Sequence, residues 1–319
     1  MFKKSLILLA AIFIGASTFA QTLDDAGTKY NEGNEKYAAK AYADAARSFE
    51  EALDICNGVG ADADDLKANV QKQLNNAYYK NALSLYKKKK FDNAIAEMQK
   101  SADLAAELGD NSKNKKSLSY IGKIHTTKGQ VALKSKKPDE ALAQFEKGLE
   151  YNPKSYKTFL GKAMAYKEKD EIDLMLENVD KTIELAAGNA KAAKYSAKAK
   201  KLASSTLFNE GSVELSKEHG AKAAEHFNAS MKYAAGTTDT YFYLAVAYNK
   251  AKQYAKAIEA ANKALSMQQG DKSDIYFELG SAQQASGDAA SACASFKKVS
   301  SGNNVESAKY KITTELKCK

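Results

Sequence analysis

One spacing constrains this chain more than any other feature of it. A small residue is followed by a second small residue twelve positions on, a bulky residue four later and a small one three later. It runs through Gly33, Ala45, Phe49 and Ala52, then Ala82, Ala94, Met98 and Ser101, then Gly129, Ala141, Phe145 and Gly148. It returns as Gly211, Ala223, Phe227 and Ser230, and as Gly280, Ala292 and Phe296 with Val299 in the last small position. Two copies are weaker: Ala245, Ala257, Ala261 and Ala264 lack the bulky member, and Ala163, Met175, Val179 and Thr182 keep only the outline. Steps of three and four place residues on one helix face. The step of twelve crosses a turn into a second, antiparallel helix, and the small residues let the two backbones approach.

Breaks fall where those turns belong, at Lys40-Ala41, Lys89-Lys90, Lys137-Pro138, Lys169-Asp170, His219-Gly220, Lys252-Gln253 and Gly287-Asp288. Seven helix–turn–helix units follow. The composition agrees: only two prolines, Pro138 and Pro153, and long Ala/Lys/Glu-rich stretches that enter helices at little cost. The leading small residues fall at 33, 82, 129, 163, 211, 245 and 280, so three steps are 47 to 49 and three are 34 or 35. The surplus is about four helical turns, which can lengthen a first helix without rotating its face. Leu66, Val70, Leu74 and Tyr78 form the required stripe before the second unit, as do Leu118, Ile121 and Ile124 before the third. Before the fifth, Lys191 to Lys201 is Ala/Lys-rich and less clearly striped; it follows Gly188-Asn189, a helix stop, and a bend is expected there. A last helix over about Val305 to Leu316 is expected to cap the end, as solenoids require.

The pattern resembles the tetratricopeptide repeat, whose unit is about 34 residues with this small–small–bulky–small signature. The best matches are Gly129 through Pro153, with "LEYNP" closing the unit, and Tyr241 through Leu265. The resemblance implies an all-α fold, an α-solenoid of about seven such repeats with a C-terminal capping helix. It further implies that first helices line a concave face where partners lie. Residues three before each leading small one are then groove-facing: Tyr30, Tyr79, Thr126, Leu160, Phe208, Phe242 and Phe277. Four after it come Tyr37, Tyr86, Leu133, Lys167, Leu215, Asn249 and Gln284. Flat amphipathic rings suit an extended or helical peptide, although aromatics at these places also serve packing between units. Tyr30, Tyr37, Tyr79, Tyr86, Phe208, Phe242 and Phe277 are therefore the candidate partner-binding residues, with the first four as the best cluster. Chaperone-binding relatives grip a C-terminal carboxylate with Lys and Asn in successive units. Here Asn34 is the only Asn at the matching place and aromatics stand at the Lys positions, which argues against that use.

Residues 1–20 read as a secretory signal peptide: Lys3 and Lys4, an apolar run from Leu6 to Ile14, and Ser17-Thr18-Phe19-Ala20 before Gln21. The apolar run is short for a bilayer span, and no Cys follows the cleavage site to carry a lipid. An exported protein, periplasmic or secreted and not lipid-anchored, is expected, with the Lys-over-Arg bias and "FAQ" context resembling Bacteroidota proteins. The mature chain divides into repeats 1–4 over 21–189, repeats 5–7 over 190–303 with an extended first helix, and a cap and tail over 304–319. Removing Lys3 and Lys4 takes the net charge from +9 to +7, and Arg47 is the sole arginine. Nucleic-acid readers lean on arginine forks, so nucleic acid is not an expected partner.

Lysines gather at the turns: Lys87, Lys88, Lys89 and Lys90, then Lys134, Lys136 and Lys137, with Lys167, Lys169, Lys250 and Lys252. Cations there complement the negative ends of first helices. A basic ridge touching an acidic partner or the envelope surface is the functional alternative. Cys56, Cys293 and Cys318 fit no metal motif. Cys293 falls in an apolar column with Ala46, Ile95, Leu142, Leu176, Ala224 and Ile258, so a buried core cysteine is its default reading. A Cys293–Cys318 disulfide pinning the cap is the alternative. His125, His219 and His226 are the only histidines and form no metal pair; no nucleophile motif or phosphate loop stands out. Neither cofactor nor metal is expected. The chain thus reads as a non-catalytic envelope scaffold holding a protein partner along its concave face. The alternative is a glycan- or anionic-ligand-binding accessory protein, against which the absence of Trp weighs.

Overall fold

The computed structural model describes residues 22–319; the signal-peptide expectation lies outside them. Among the described residues there are helices and no strands. They run in consecutive pairs: α1 (Leu23–Ala38) with α2 (Tyr42–Val59), α3 (Asp64–Lys87) with α4 (Phe91–Glu107), and α5 (Asn111–Lys134) with α6 (Pro138–Tyr151). Next come α7 (Tyr156–Glu168) with α8 (Ile172–Ala186), and α9 (Ala193–Ser216) with α10 (Gly220–Ser230). The last pairs are α11 (Thr238–Lys250) with α12 (Tyr254–Met267) and α13 (Ser273–Ala285) with α14 (Ala289–Phe296). This is the all-α solenoid class with seven helix–turn–helix repeats. The chain forms two compact units, one ending at Ile124 and one spanning His125–Lys319.

Each pair is joined by the same device. Every first helix ends with a residue in left-handed conformation: Lys40, Lys89, Lys136, Asp170, Glu218, Lys252 and Gly287, with φ between 56° and 91°. At the first turn the Lys40 N–H donates to the Tyr37 carbonyl at 3.0 Å, and the Ala41 N–H to the Lys36 carbonyl at 2.9 Å. The same two bonds close the other six turns, a Schellman motif at each. Only Gly287 adopts that φ without a Cβ penalty; the other six turns carry a side chain there.

The repeat spacing has a direct physical meaning. Phe49, Phe145, Phe227 and Phe296 are buried with 0% exposure, and each ring covers the leading glycine of its own repeat. A Cβ on Gly33, Gly129, Gly211 or Gly280 would stand 2.5, 2.5, 2.7 or 2.8 Å from that ring. Where the leading residue is Ala82, Ala163 or Ala245, the bulky place holds Met98, Val179 or Ala261, each also at 0% exposure. Phe145 is clasped twice, because a Cβ on Gly161 of the following repeat would lie 2.5 Å from its Cζ.

The surplus length goes mainly into first helices: α3, α5 and α9 have 24 residues, against 13 in α7, α11 and α13. The extra eleven residues are about three turns, not four; the remainder lengthens second helices such as α2, with 18 residues, and α4, with 17. Val70, Leu74 and Tyr78 are buried on the α3 extension, as are Ile121 and Ile124 on α5. The terminal cap is α15 (Val305–Tyr310) running into a π-helical turn over Lys311–Glu315, rather than one uniform helix. Val305, Ala308, Ile312 and Leu316 close over Phe296 and Val299. A disulfide joins Cys293 to Cys318, Cα atoms 5.8 Å apart, and Cys293 is half-buried rather than a core residue. Cys56 is free and buried.

Two outcomes follow. Gly129→Ala drives a methyl into a ring that cannot retreat, so urea denaturation should show a loss of about 1–3 kcal/mol, largely recovered by adding Phe145→Leu. Lys89→Gly removes a left-handed side chain and should raise stability by about 1 kcal/mol; an unchanged or lower midpoint would contradict the turn geometry.

Candidate functional site

The aromatic residues singled out from the sequence are all half-buried, and several act as props for the repeat core. Tyr30, Phe208 and Phe277 lean on Phe49, Phe227 and Phe296 with ring centroids 5.9, 5.2 and 5.7 Å apart. Tyr37 meets Tyr42 edge-on at 5.3 Å, and Phe242 meets Tyr243 at 5.3 Å. Packing between and within repeats therefore accounts for much of this stripe. Tyr79 and Tyr86 differ. They converge on Tyr120, at 6.2 and 5.7 Å, a residue the repeat register does not pick out. Lys116 stands 5.0 Å over Tyr79, and Lys123 stands 5.3 Å over Tyr86 and 4.6 Å over Tyr120. Burial pushes the Tyr79 hydroxyl above its ordinary range.

The turn lysines divide by partner. Lys137 pairs with Glu140 at 3.1 Å, while Lys169 bridges Asp139 of the preceding repeat at 2.8 Å and Glu171 at 3.0 Å. Hydrogen bonds donated by Lys169 to those two carboxylates hold its pKa above the ordinary lysine range. Lys250 likewise pairs with Glu218 of the preceding repeat's turn. Lys87 to Lys90 and Lys134 and Lys136 are exposed. Two ridge lysines of the second unit, Lys169 and Lys250, are thus committed to links between neighbouring turns, each weak at an exposed surface.

A better-formed site lies in that unit, on the first-helix faces of α5, α7 and α9. It is a groove of about 740 Å³. On α7 the lining residues are Lys157, Leu160, Gly161, Met164 and Glu168, one face read at steps of three and four. Leu133 and Lys134 at the end of α5 form one wall, and Tyr195, Lys198, Lys201 and Leu202 on α9 form the other. Leu160 and Leu133 are two positions that the repeat register marks as groove-facing. The buried face of α9 explains the placement: Ala199 and Ala203 pack in one cluster with Leu160, Ala163 and Val179, Leu202 lies half-buried at its edge, and Lys198 and Lys201 turn to the groove. Met164 is 48% exposed on the floor, a large apolar side chain that no neighbour covers.

The groove lysines contrast with Lys137, Lys169 and Lys250. Lys134, Lys157, Lys198 and Lys201 have no ion pair among the described residues, and Glu168 is the one carboxylate lining the groove. Lys157 lies 5.3 Å over the Tyr195 ring, and Tyr195 packs on Tyr156 at 5.2 Å. Elsewhere polar residues are spent on structure: buried His125 meets Gln144 at 2.9 Å and stacks on Tyr151, and His219 meets Glu214 at 2.8 Å. Hydrogen bonds from Lys217 and His219 lower the Glu214 pKa to about 2.

Sequence comparison falls on the same helix pairs. Family profiles described as tetratricopeptide repeat match residues 122–155, the second half of α5 with α6, and residues 208–274, the second half of α9 through α12. No curated protein matches the chain. Among solved structures it is similar to MamA from Desulfovibrio magneticus RS-1, at 20% identity over 56% of this chain and 92% of that one, TM-score 0.33. It is similar also to the TPR2AB domain of yeast Sti1 in a pHSP90 complex, at 17% identity over 92% and 97% of the two chains, TM-score 0.35. A tetratricopeptide repeat protein from Parabacteroides merdae gives 16% identity over 92% and 97%, TM-score 0.29. Both profiles fall on helix pairs closed by the same turn, and residues 122–155 and 208–274 of this chain are tetratricopeptide repeats.

Proposed function

We propose that this chain is a non-catalytic scaffold of the bacterial cell envelope that holds a segment of another protein along its first-helix faces. The observation that carries this reading is the groove on α5, α7 and α9. Its floor leaves Met164 half-exposed while the cores of the helix pairs are filled. Open apolar surface with a polar rim is what a protein-binding face requires. The envelope setting rests on the secretory pattern of residues 1–20. Sti1 is in complex with pHSP90 in the structure noted above, an example of a repeat of this kind with a protein partner. The four unpaired groove lysines favour one second reading, capture of an anionic ligand such as an acidic glycan.

A photoreactive residue in place of Met164, activated in envelope extracts, should capture one protein in stoichiometric amount. Excess unaltered chain should compete that capture away, whereas excess Met164→Asp chain, its helical circular-dichroism signal unchanged because the site is half-exposed, should not. Absence of any captured protein, together with a thermal shift from an acidic glycan, would replace the scaffold reading with the second one.

A further inference from the structure

The distribution of charge around the groove identifies the kind of segment it takes, an inference that rests on the scaffold reading. The floor is apolar along α7, with Leu160 and Met164, and is flanked by Leu133 and Leu202. Above it stand Lys134 on one wall, Lys198 and Lys201 on the other, and Lys157 at the start of α7. Against four cations there is a single lining carboxylate, Glu168, and no ion pair neutralises any of the four among the described residues. Elsewhere in the same unit, lysines such as Lys162, Lys169, Lys181 and Lys217 do have carboxylate partners. The groove thus sets four lysines without a carboxylate partner around an apolar floor.

We propose that its occupant is an acidic amphipathic helix: one apolar face on the floor, with carboxylates along both flanks. Two features favour this over a single-headed amphiphile or an extended strand. First, the lysines are spread along the groove instead of converging at one end. Lys157 is in the first turn of α7 and Lys134 is the last residue of α5, at opposite ends of two first helices, and Lys134 and Lys198 are on opposite walls. One headgroup would engage one end of that array; a row of carboxylates engages all of it. Second, α5, α7 and α9 are neighbouring helices, so the outer walls are separated by roughly two interhelical spacings of 8–10 Å. Those are axis separations, so the occupant lies over α7 rather than between the walls, where a helix of about 10–12 Å diameter reaches the side chains of both and a single strand does not.

The probe is a fluorescent 18-residue helical peptide with leucines on one face and glutamates on both flanks, compared with a twin in which every glutamate is lysine. Anisotropy is measured with the full mature chain. The glutamate peptide should bind at least about tenfold more tightly than its twin, and added salt should weaken it steeply because exposed charges are screened. The triple variant Lys134→Glu, Lys198→Glu, Lys201→Glu should reverse the preference. The comparison of the two peptides on the unaltered chain stands even if that variant folds poorly. Equal affinities, or no binding of either peptide, would overturn the acidic-helix assignment, as would dodecanoate or phosphatidylglycerol vesicles binding in the peptide's place. Capture of a protein through Met164 with no preference for the glutamate peptide would leave the scaffold reading standing and remove only the acidic class.

Discussion

The contact between a buried phenylalanine of the second helix and the bare backbone of the first, made in four of the seven repeats, is what the rest of this structure depends on. Phe49, Phe145, Phe227 and Phe296 have 0% exposure, and each leading glycine lacks the carbon that would collide with the ring. Burying one such ring contributes about 1.5–3 kcal/mol, and close approach of the two helices fills the space between them. Volume is partly conserved by exchange: where alanine leads, Met98 or Val179 replaces phenylalanine, while Ala261 leaves the place small. Because this interior contact is satisfied inside each pair, the outward face of a first helix is free to do something else.

That division explains what was legible in the sequence. Glycine and phenylalanine at a fixed spacing are a local signal, so the seven repeats, their turns and the long first helices could be read directly. The turns were legible for a second reason: each ends a helix, and Lys, Gly or a charged residue marks the stop. The aromatic stripe was harder. Tyr30, Phe208 and Phe277 keep the register of groove residues, yet their rings lie against the phenylalanines of the core. A side chain beside a small residue can turn either way, and spacing does not say which.

The groove itself was only half visible. Leu133 and Leu160 follow from the repeat register, but the second wall comes from the Ala/Lys-rich extension of α9. That stretch looked unstriped because its buried face is built from alanines, Ala199 and Ala203, which count little in a hydrophobic pattern. Small residues there bring α9 close to α7 and aim Lys198, Lys201 and Leu202 at the open side. Tyr120 was missed for a similar reason: it lies on the extension of α5, outside the repeat register that marks Tyr79 and Tyr86. Charge shows the same split between structure and availability. Lys169 and Lys250 tie a turn to the preceding repeat, whereas the groove lysines have no such task.

The methionines offer the most direct test of that arrangement, since Met98 and Met175 have 0% exposure in repeat cores while Met164 is 48% exposed on the groove floor. With ¹³C-labelled methionine methyl groups, a neutral dissolved paramagnetic agent should broaden the Met164 resonance strongly and leave Met98 and Met175 sharp. A Met164 methyl as protected as those two would mean that the floor is covered, and that the first-helix face is not the open surface described.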